Sequence, residues 1–319
     1  MKREIVIGTR LSKLALWQAN WVMARLRELR PGYSYRISGI QTQGDNILDV
    51  ALSKIGDKGL FTKELELAML RGEIDLAVHS MKDLPTELPD GLVIGAVCRR
   101  EFPGDVLITR AGLKIDELPR GAVIGTSSLR RRAQILHYRD DFKTVDVRGN
   151  VHTRLRKLDG GMMDATVLAF AGIHRLGLDK RIAQVLPFNL CLPAAGQGSV
   201  GVEVREDDME VRQLVSAIDH LESRAAITAE RALLKRLEGG CQIPIGALGT
   251  VNGPEMRMEG VVAGLSGRQL VRASLAGPVE NANELGERLA ENLLELGAGG
   301  AHGLPGRLES GLAQNPSQD

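Results

Sequence analysis

The sequence VIGT at residues 6–9 returns letter for letter at residues 123–126, and these two stretches decide the fold prediction. Each starts as a short apolar strand and runs through a polar loop into a segment with helical spacing of apolar residues. A second strand follows in each half, at residues 75–78 and 164–168, and again ends in a loop. The matching order predicts an α/β fold with two similar domains whose strand-to-helix loops gather at one end.

The chain is expected to cross twice between these two halves. A strand at residues 200–204 follows the second half and is predicted to return to the first domain. The pattern then changes to a helix, three short strands and a second helix, which is typical of a small α+β domain. The expected bounds are 1–98 with 199–216 for domain 1, 99–198 for domain 2, 217–300 for domain 3 and 301–319 for a flexible tail.

The composition excludes several classes of protein. The 319 residues hold 41 Lys and Arg against 40 Asp and Glu, so the net charge of +1 gives no whole-molecule attraction to nucleic acid. Aromatic residues make up 3% of the chain, too few for the stacking platforms of a single-strand binder. No apolar run approaches a membrane span or the core of a signal peptide. The cytoplasm is therefore the expected compartment.

The three cysteines are far apart and show neither metal-ligand nor redox-motif spacing. We expect no disulfide framework, and we expect Cys98 and Cys191 to be core residues. Cys241 differs because it lies in a Gly-Gly-Cys-Gln-Ile-Pro loop just after a predicted helix. It is either a nucleophile or covalent anchor on that loop, or a small buried residue at a helix C-cap.

Cations are concentrated in the loops that are expected to line a cleft. They predict a ligand with several anionic groups, because guanidinium groups pair well with carboxylate and phosphate. For residues 130–132 the alternative is a solvated helix face, although a helix start after the Thr-Ser-Ser loop is expected to point Arg130 into the cleft. The cations are Arg10, Lys58, Lys82, Arg130, Arg131, Arg132, Arg148, Arg154 and Arg175.

Asp83 is the one acid among these basic loops. A carboxylate flanked by cations stays ionised and can accept N–H bonds or stabilise a cationic intermediate. The alternative is an Asx-turn or cap before Pro85. His79, at the end of the preceding strand, is interpreted as a packed, hydrogen-bonded residue and not as a catalyst.

Several long motifs resemble those of the porphobilinogen deaminase (hydroxymethylbilane synthase) family, in family order over about residues 4 to 296. Four of them are HSMKDLP at 79–85, GTSSLRR at 125–131, RGNV at 148–151 and GGCQIP at 239–244. Shorter matches are TQGD at 42–45, GLFT at 59–62 and AGQG at 195–198.

The resemblance implies two periplasmic-binding-protein-like (type II) α/β domains and a third domain whose cysteine carries a dipyrromethane cofactor through a thioether. Cys241 matches that cysteine. The implied reaction is the head-to-tail condensation of four porphobilinogen molecules with loss of ammonia, followed by hydrolytic release of hydroxymethylbilane. It also implies a monomer that requires no metal and passes its product to the next enzyme of tetrapyrrole (haem) biosynthesis. No nucleic acid or membrane partner is expected.

The family's site residues are carried over one by one onto matching positions. Asp83 takes the role of the catalytic carboxylate, which binds pyrrole N–H groups and stabilises the cation formed as ammonia leaves. The residues implied to bind substrate are Arg10, Ser12, Lys58, Phe61, Arg148, Arg154 and Arg175. The residues implied to bind the cofactor or growing chain are Ser80, Lys82, Thr126, Ser128, Arg130, Arg131 and Gln197.

Departures from the family pattern are minor. His152 stands where glycine is common and His174 where lysine is frequent, and neither replaces a motif residue. For Phe61, a core position at the start of its helix is an alternative to stacking on a pyrrole ring. The segment 46–58 is expected to act as a lid over the cleft.

Two other functions fit parts of the same sequence. A two-lobed protein with arginine-lined loops could bind an acidic small molecule without catalysis. A thiol-dependent acyltransferase could use Cys241 as a turnover nucleophile, although no histidine lies near it in sequence. Both predict an unmodified thiol, whereas the family resemblance predicts a permanent two-pyrrole adduct on Cys241.

Overall fold

The computed structural model describes residues 3–46, 59–237 and 244–299. Lys58, Cys241, residues 47–58 of the expected lid and the tail from 300 onwards lie outside these residues. Within the described residues, no helix is both long and apolar enough to span a membrane.

The first sheet combines four strands from residues 4–97 with one strand from residues 200–205. Its strands are β1 (Glu4–Arg10), β2 (Ser34–Ile40), β3 (Leu76–Ser80), β4 (Leu92–Val97) and β10 (Val200–Arg205). The order is β2-β1-β3-β10-β4, in which β1 runs parallel to β2 and β3, and β10 runs antiparallel to β3 and β4. The predicted return of the 200–204 strand to the first domain is thus observed.

The helices of this domain are α1 (Lys13–Leu29), the short α2 (Gln43–Asn46), α3 (Lys63–Leu70) and α7 (Met209–Val215). Helix α1 places Val22 and Leu26 against Ile5 and Ile7 of β1, and all four side chains are fully buried. This apolar burial holds α1 against one face of the sheet, while α3 packs on a second cluster that includes Ala77 of β3.

The second sheet repeats the first. Its strands are β5 (Asp105–Thr109), β6 (Val123–Gly125), β7 (Lys143–Val145), β8 (Ala165–Ala169) and β9 (Gln184–Val185). The order is β7-β6-β8-β5-β9, with β6 parallel to β7 and β8 and β5 antiparallel to β8 and β9. Both sheets therefore have the same strand arrangement, which confirms the predicted fold of two type II α/β domains. The helices here are α4 (Leu129–Tyr138), α5 (Val151–Asp159) and α6 (Phe170–Arg175).

The C-terminal part is a three-stranded antiparallel sheet covered by two helices. Strands β11 (Ile245–Asn252), β12 (Glu255–Ala263) and β13 (Leu270–Pro278) lie in sequence order. Helices α8 (Leu221–Arg236) and α9 (Ala282–Leu293) bury Leu233, Leu289 and Leu293 against this sheet. This is the predicted small α+β unit, while the residue bounds assigned to the three domains remain predictions.

Polar residues begin the helices that face the cleft between the first two sheets. Ser12 caps α1 by accepting from Ala15 N at 3.2 Å, and Asn150 caps α5 by accepting from Thr153 N at 3.0 Å. Ser128 caps α4 in the same way, through the N–H of Arg131. The remaining backbone N–H groups at these N-termini give each loop a positive end, which favours anions.

Candidate active site

A cavity of about 660 Å³ lies between the two sheets, at the loops that follow β1, β3 and β8. It lies where α/β sheets usually bind ligands, beyond the carboxyl ends of parallel strands. Both α/β domains contribute to its wall. The predicted site residues that line it are Arg10, Ser12, Phe61, Ser80, Lys82, Asp83, Arg131, Arg148, Arg154, Arg175 and Gln197.

Asp83 is the single carboxylate among the described residues that line this cavity. It ends a 3₁₀ turn (Met81–Asp83) that directly follows β3, and its side chain is exposed to the cleft. Arg231 of α8 donates to the backbone carbonyls of the three residues after Asp83, at 3.3, 2.6 and 3.1 Å. The loop that carries Asp83 is therefore fixed by a side chain from the C-terminal unit.

The crossing segment, residues 186–199 between β9 and β10, passes very close to the Asp83 loop. Gly196 has a φ of +74°, and a Cβ there would come within 3.1 Å of Lys82 N. Gly198 has a φ of +97°, and a Cβ there would lie 2.4 Å from the Glu101 carbonyl oxygen. Only glycine satisfies both the left-handed conformation and this close approach, which accounts for the AGQG motif.

Asp105 is a buried hub behind the cavity that the sequence did not reveal. Its side chain is fully buried and accepts from Arg130 Nη1 at 2.8 Å, Arg131 Nη2 at 2.7 Å and Gln197 Nε2 at 2.9 Å. Burial alone would raise the pKa of Asp105, but the two guanidinium groups hold this pKa well below its usual range. The ionised carboxylate thus fixes the orientation of Arg131 at the cavity wall.

Lys82 lies next to this hub, with its Nζ 3.4 Å from Gln197 Oε1. Its side chain keeps contact with solvent, but the cleft walls surround it and reduce its hydration. This desolvation, with repulsion from Arg131, lowers the pKa of Lys82 to about 8. Lys82 is therefore mostly protonated at neutral pH and loses its charge in mildly alkaline solution.

The opposite wall is formed by the N-terminal half of α5. Arg154 Nε donates to Gly149 O at 2.8 Å, and Lys157 Nζ donates to Arg148 O at 3.3 Å. Desolvation and the nearby Arg131 lower the pKa of Arg154 to about 10, which leaves the guanidinium protonated at neutral pH. Lys157 also lines the cavity. Lys157 was not predicted from the sequence, although its position one helical turn after Arg154 places it on the same helix face.

Two arginines at the cleft make cation–π contacts. The guanidinium of Arg10 lies 4.1 Å from the ring centroid of Phe61, and that of Arg175 lies 5.6 Å from Trp17. Arg175 also donates to Gly198 O at 2.6 Å. Since Arg175 belongs to α6 and Trp17 to α1, this contact joins the two α/β domains across the cleft.

Two family models match the chain. The porphobilinogen deaminase, dipyromethane cofactor binding domain, matches residues 5–213, and the porphobilinogen deaminase C-terminal domain matches residues 224–295. The chain belongs to the porphobilinogen deaminase family.

Curated relatives agree with this family. Porphobilinogen deaminase of Pelotomaculum thermopropionicum is 67% identical over 94% of this chain and 96% of its own length. That of Desulforudis audaxviator is 60% identical over 94% of this chain and 97% of its own length. A solved structure of a probable amino-acid ABC transporter extracellular-binding protein from Bacillus subtilis aligns at a TM-score of 0.43 and 12% identity, over 68% of this chain and 90% of that chain.

Not every residue carried over from the family faces the cavity. Arg130, on α4, points away from it and donates to Leu192 O at 2.6 Å as well as to Asp105. Thr126 and Ser128 hold the loop before α4, where Ser128 N donates to Thr126 Oγ1 at 3.2 Å. These three positions are outside the described cavity wall, and their cofactor roles remain predictions.

The Cys241 loop itself is outside the described residues, but its flanks are placed. Helix α8 and Leu237 precede it, and Pro244 follows it next to β12, where Pro244 O accepts from Ala263 N at 3.0 Å. Pro193, adjacent to the Leu192 carbonyl that accepts from Arg130, accepts from Ala247 N at 2.9 Å. The start of β11 is therefore anchored to the crossing segment beside the Asp105 hub.

The histidines and cysteines considered in the sequence lie in surroundings that indicate structural roles. His79 is buried, as expected of a packed residue, and its Nε2 lies 3.1 Å from Glu203 Oε2 but without hydrogen-bond geometry, so the predicted hydrogen bond is not observed. His174 is exposed and lies 2.8 Å from Asp179. Cys98 and Cys191 are buried, and desolvation raises the pKa of both thiols to about 12, so they are inert core residues. Among the described residues there is no cluster of three His, Cys, Asp or Glu side chains suited to a metal.

Proposed function

We propose that this chain condenses four porphobilinogen molecules head to tail, with release of ammonia, and yields hydroxymethylbilane for tetrapyrrole and haem biosynthesis. The proposal rests on one carboxylate, Asp83, in a cavity whose other charged lining residues, among those that the structure describes, are all cationic. Each porphobilinogen ring carries an acetate and a propionate, so the ligand is a polyacid that such a wall neutralises. Membership of the porphobilinogen deaminase family supports the same reaction.

A dipyrromethane fits the residues that are present. The cavity volume of about 660 Å³ lies within the range of about 300–1,000 Å³ that is usual for small-molecule sites. Its wall combines apolar residues with cations from both domains. We propose that the dipyrromethane is attached through a thioether to Cys241, where it supplies the free pyrrole carbon to which the first substrate is joined. We propose that Lys82 and Arg131 bind its carboxylates. Both side chains donate to Gln197 Oε1 beside Asp105, while the amide nitrogen of Gln197 donates to Pro103 O and Asp105 and so holds this arrangement.

The proposed substrate site is the remaining wall. Arg10, Ser12, Arg148, Arg154 and Arg175 line it and would bind the acetate and propionate of the incoming ring. Asp83 would accept a hydrogen bond from the pyrrole N–H and stabilise the positive charge that develops on the ring as ammonia leaves. Phe61 contributes through its contact with Arg10, which orients that guanidinium at the cavity wall.

The experiment combines a turnover assay with intact-protein mass spectrometry. The purified chain should release ammonia from porphobilinogen and carry the mass of a two-pyrrole adduct, while the Cys241→Ser variant should lack the adduct and the activity. An unmodified thiol in active protein would favour the acyltransferase alternative. Binding of porphobilinogen without ammonia release would favour the non-catalytic binding protein.

We predict a pH effect from Lys82 in the adduct-free Cys241→Ser protein. The pKa of Lys82 is about 8, so its ammonium contributes to carboxylate binding below pH 8 and ceases to contribute above it. In this protein the cofactor site is vacant, so the carboxylates of porphobilinogen can reach Lys82, and the dissociation constant for porphobilinogen should rise between pH 7 and pH 9. Calorimetry should show a flatter pH dependence when Lys82→Met is added, and equal slopes in the two proteins would contradict the assignment.

We further propose that the protein acts as a monomer in the cytoplasm and passes hydroxymethylbilane to the next tetrapyrrole enzyme. The family relationship supports these points. The domain bounds 1–98 with 199–216, 99–198 and 217–300 are proposed on the same basis, together with the three observed sheets.

A further inference from the structure

A second, much smaller cavity of about 70 Å³ lies directly beside Asp83. It shares Arg10, Ser12, Leu14, Phe61, Ser80 and Asp83 with the large cavity, so the two spaces meet at the catalytic carboxylate. Among the described residues of this shared wall, the one cation, Arg10, lies over the Phe61 ring. Gln18 lines the small cavity and is absent from the wall of the large one. The volume suffices for a few water-sized molecules and is far too small for a pyrrole ring with its side chains.

The inner end of this chamber is polar although it is buried. Gln18 lies on α1 and is 2% exposed. Its Nε2 lies 3.0 Å from Ser80 Oγ, and its Oε1 lies 3.3 Å from the same hydroxyl. A carboxamide has two donor hydrogens and two acceptor lone pairs, so one hydrogen bond to Ser80 leaves capacity for a small polar ligand. Since burying a carboxamide is costly without partners, a ligand that uses this capacity would bind favourably.

We infer that this chamber holds the aminomethyl group of the substrate and then the ammonia that leaves it. The inference rests on the proposed function, because it names where one group of that substrate lies. A protonated aminomethyl group presents three N–H donors. Asp83, Ser80 and Gln18 each offer an oxygen acceptor at the chamber, and the carboxylate of Asp83 supplies the charge-assisted bond.

The chemistry of the reaction requires such a separation. The carbon–nitrogen bond breaks with both electrons going to nitrogen, which leaves as ammonia. The lone pair of the pyrrole nitrogen delocalises the positive charge that this leaves on the exocyclic carbon. The free carbon of the acceptor pyrrole in the large cavity then bonds to that exocyclic carbon and loses its hydrogen as a proton. Asp83, which lines both cavities, passes this proton to the released ammonia, which becomes ammonium. The chamber keeps the ammonia out of the large cavity, where the carbon nucleophile approaches, and so prevents the reverse attack on the cation.

The test compares two ligands in binding and is independent of turnover. Calorimetry on the Cys241→Ser protein would use porphobilinogen and an analogue with methyl in place of aminomethyl. Adding Gln18→Leu should weaken porphobilinogen binding by roughly tenfold, the loss expected for a hydrogen bond to a charged group. Binding of the methyl analogue should change by less than about twofold, since it presents no donor to the chamber. Equal weakening of both ligands would overturn the inference.

Gln184→Leu is the matched control. Gln184 also uses its side chain for a part-buried hydrogen bond, with Oε1 accepting from Ile115 N at 2.8 Å, but it lines neither cavity. It should leave the affinity ratio of the two ligands unchanged. If Gln18→Leu has a lowered thermal unfolding midpoint, the comparison is repeated with Ser80→Ala, which removes the hydroxyl partner of Gln18.

The outcome also separates this inference from the proposed function. Wild-type protein that fails to release ammonia from porphobilinogen would contradict the proposed function itself. Wild-type protein that turns over normally, with an unchanged ligand ratio in both Gln18→Leu and Ser80→Ala, would contradict only the chamber assignment. A changed ratio in either variant, with Gln184→Leu unaffected, supports it.

Discussion

Replacing Asp83 with asparagine should lower kcat for porphobilinogen by roughly 10²–10³-fold, the cost typical of losing one preorganised electrostatic contact to a transition state. The amide keeps the shape of the side chain but carries no negative charge to stabilise the developing cation. No other carboxylate among the described residues lines the cavity to replace it. Because Asp83 is exposed to the cleft, the free energy of unfolding should change by less than about 0.5 kcal/mol.

Asp90→Asn is the matched control for this variant. Asp90 follows the same Pro-rich turn and is exposed, but it does not line either cavity. Steady-state kinetics should show the wild-type kcat in Asp90→Asn, and intact mass should show the adduct in both variants. A kcat within about twofold of wild type in adduct-bearing Asp83→Asn would remove Asp83 from the mechanism.

The repeated VIGT sequence, together with the matching order of elements in each half, predicted the paired sheets, because strand, loop and helix are encoded locally in each copy. This pattern also placed Arg10 correctly at the cleft, since it follows the strand end that a parallel sheet presents to ligands, whereas Ser12 was implied by the family resemblance. Asp105 could not be found in this way. It begins the apolar strand DVLIT, and its partners Arg130 and Gln197 lie 25 and 92 residues away. Only the tertiary fold brings them together.

The Arg-Arg-Arg run shows a second limit of the sequence. The helix start after Ser128 predicted that Arg130 points into the cleft, but successive residues on a helix point about 100° apart. Both arginines donate to Asp105, yet Arg131 lines the cavity, whereas Arg130 lies outside its described wall and also donates to the Leu192 carbonyl. Gln18 was missed for a related reason, because a glutamine within an amphipathic helix looks like a solvent-facing residue until Ser80 is placed beside it.

Asp105→Asn should destabilise the folded protein by about 3–5 kcal/mol, the range seen when one partner of a buried ion pair is removed. The carboxylate is fully buried, and the guanidinium groups of Arg130 and Arg131 are 6% exposed in their side chains. Without Asp105, two buried positive charges lose their shared counter-ion, and the amide of asparagine compensates neither. Urea unfolding should show a lower midpoint with an unchanged m-value.

The pH dependence of this deficit gives a further check. The folded-state pKa of Asp105 lies below its ordinary value, so its contribution is fully present above the unfolded pKa of about 4 and is lost only as pH falls through the folded pKa. The deficit of Asp105→Asn should therefore be the same at pH 5.5 and pH 6.5, a range that also lies below the pKa of about 8 of the neighbouring Lys82.

Asp159→Asn supplies the contrast that assigns the effect to burial. Asp159 also pairs with an arginine, Arg181, at 2.6 Å, but these side chains are 50% and 35% exposed. Water solvates each charge when the other is removed, so this variant should lose no more than about 0.5 kcal/mol. Similar losses in Asp105→Asn and Asp159→Asn would show that water reaches Arg130 and Arg131. In that case the orientation of Arg131 at the cavity wall would not depend on the Asp105 carboxylate.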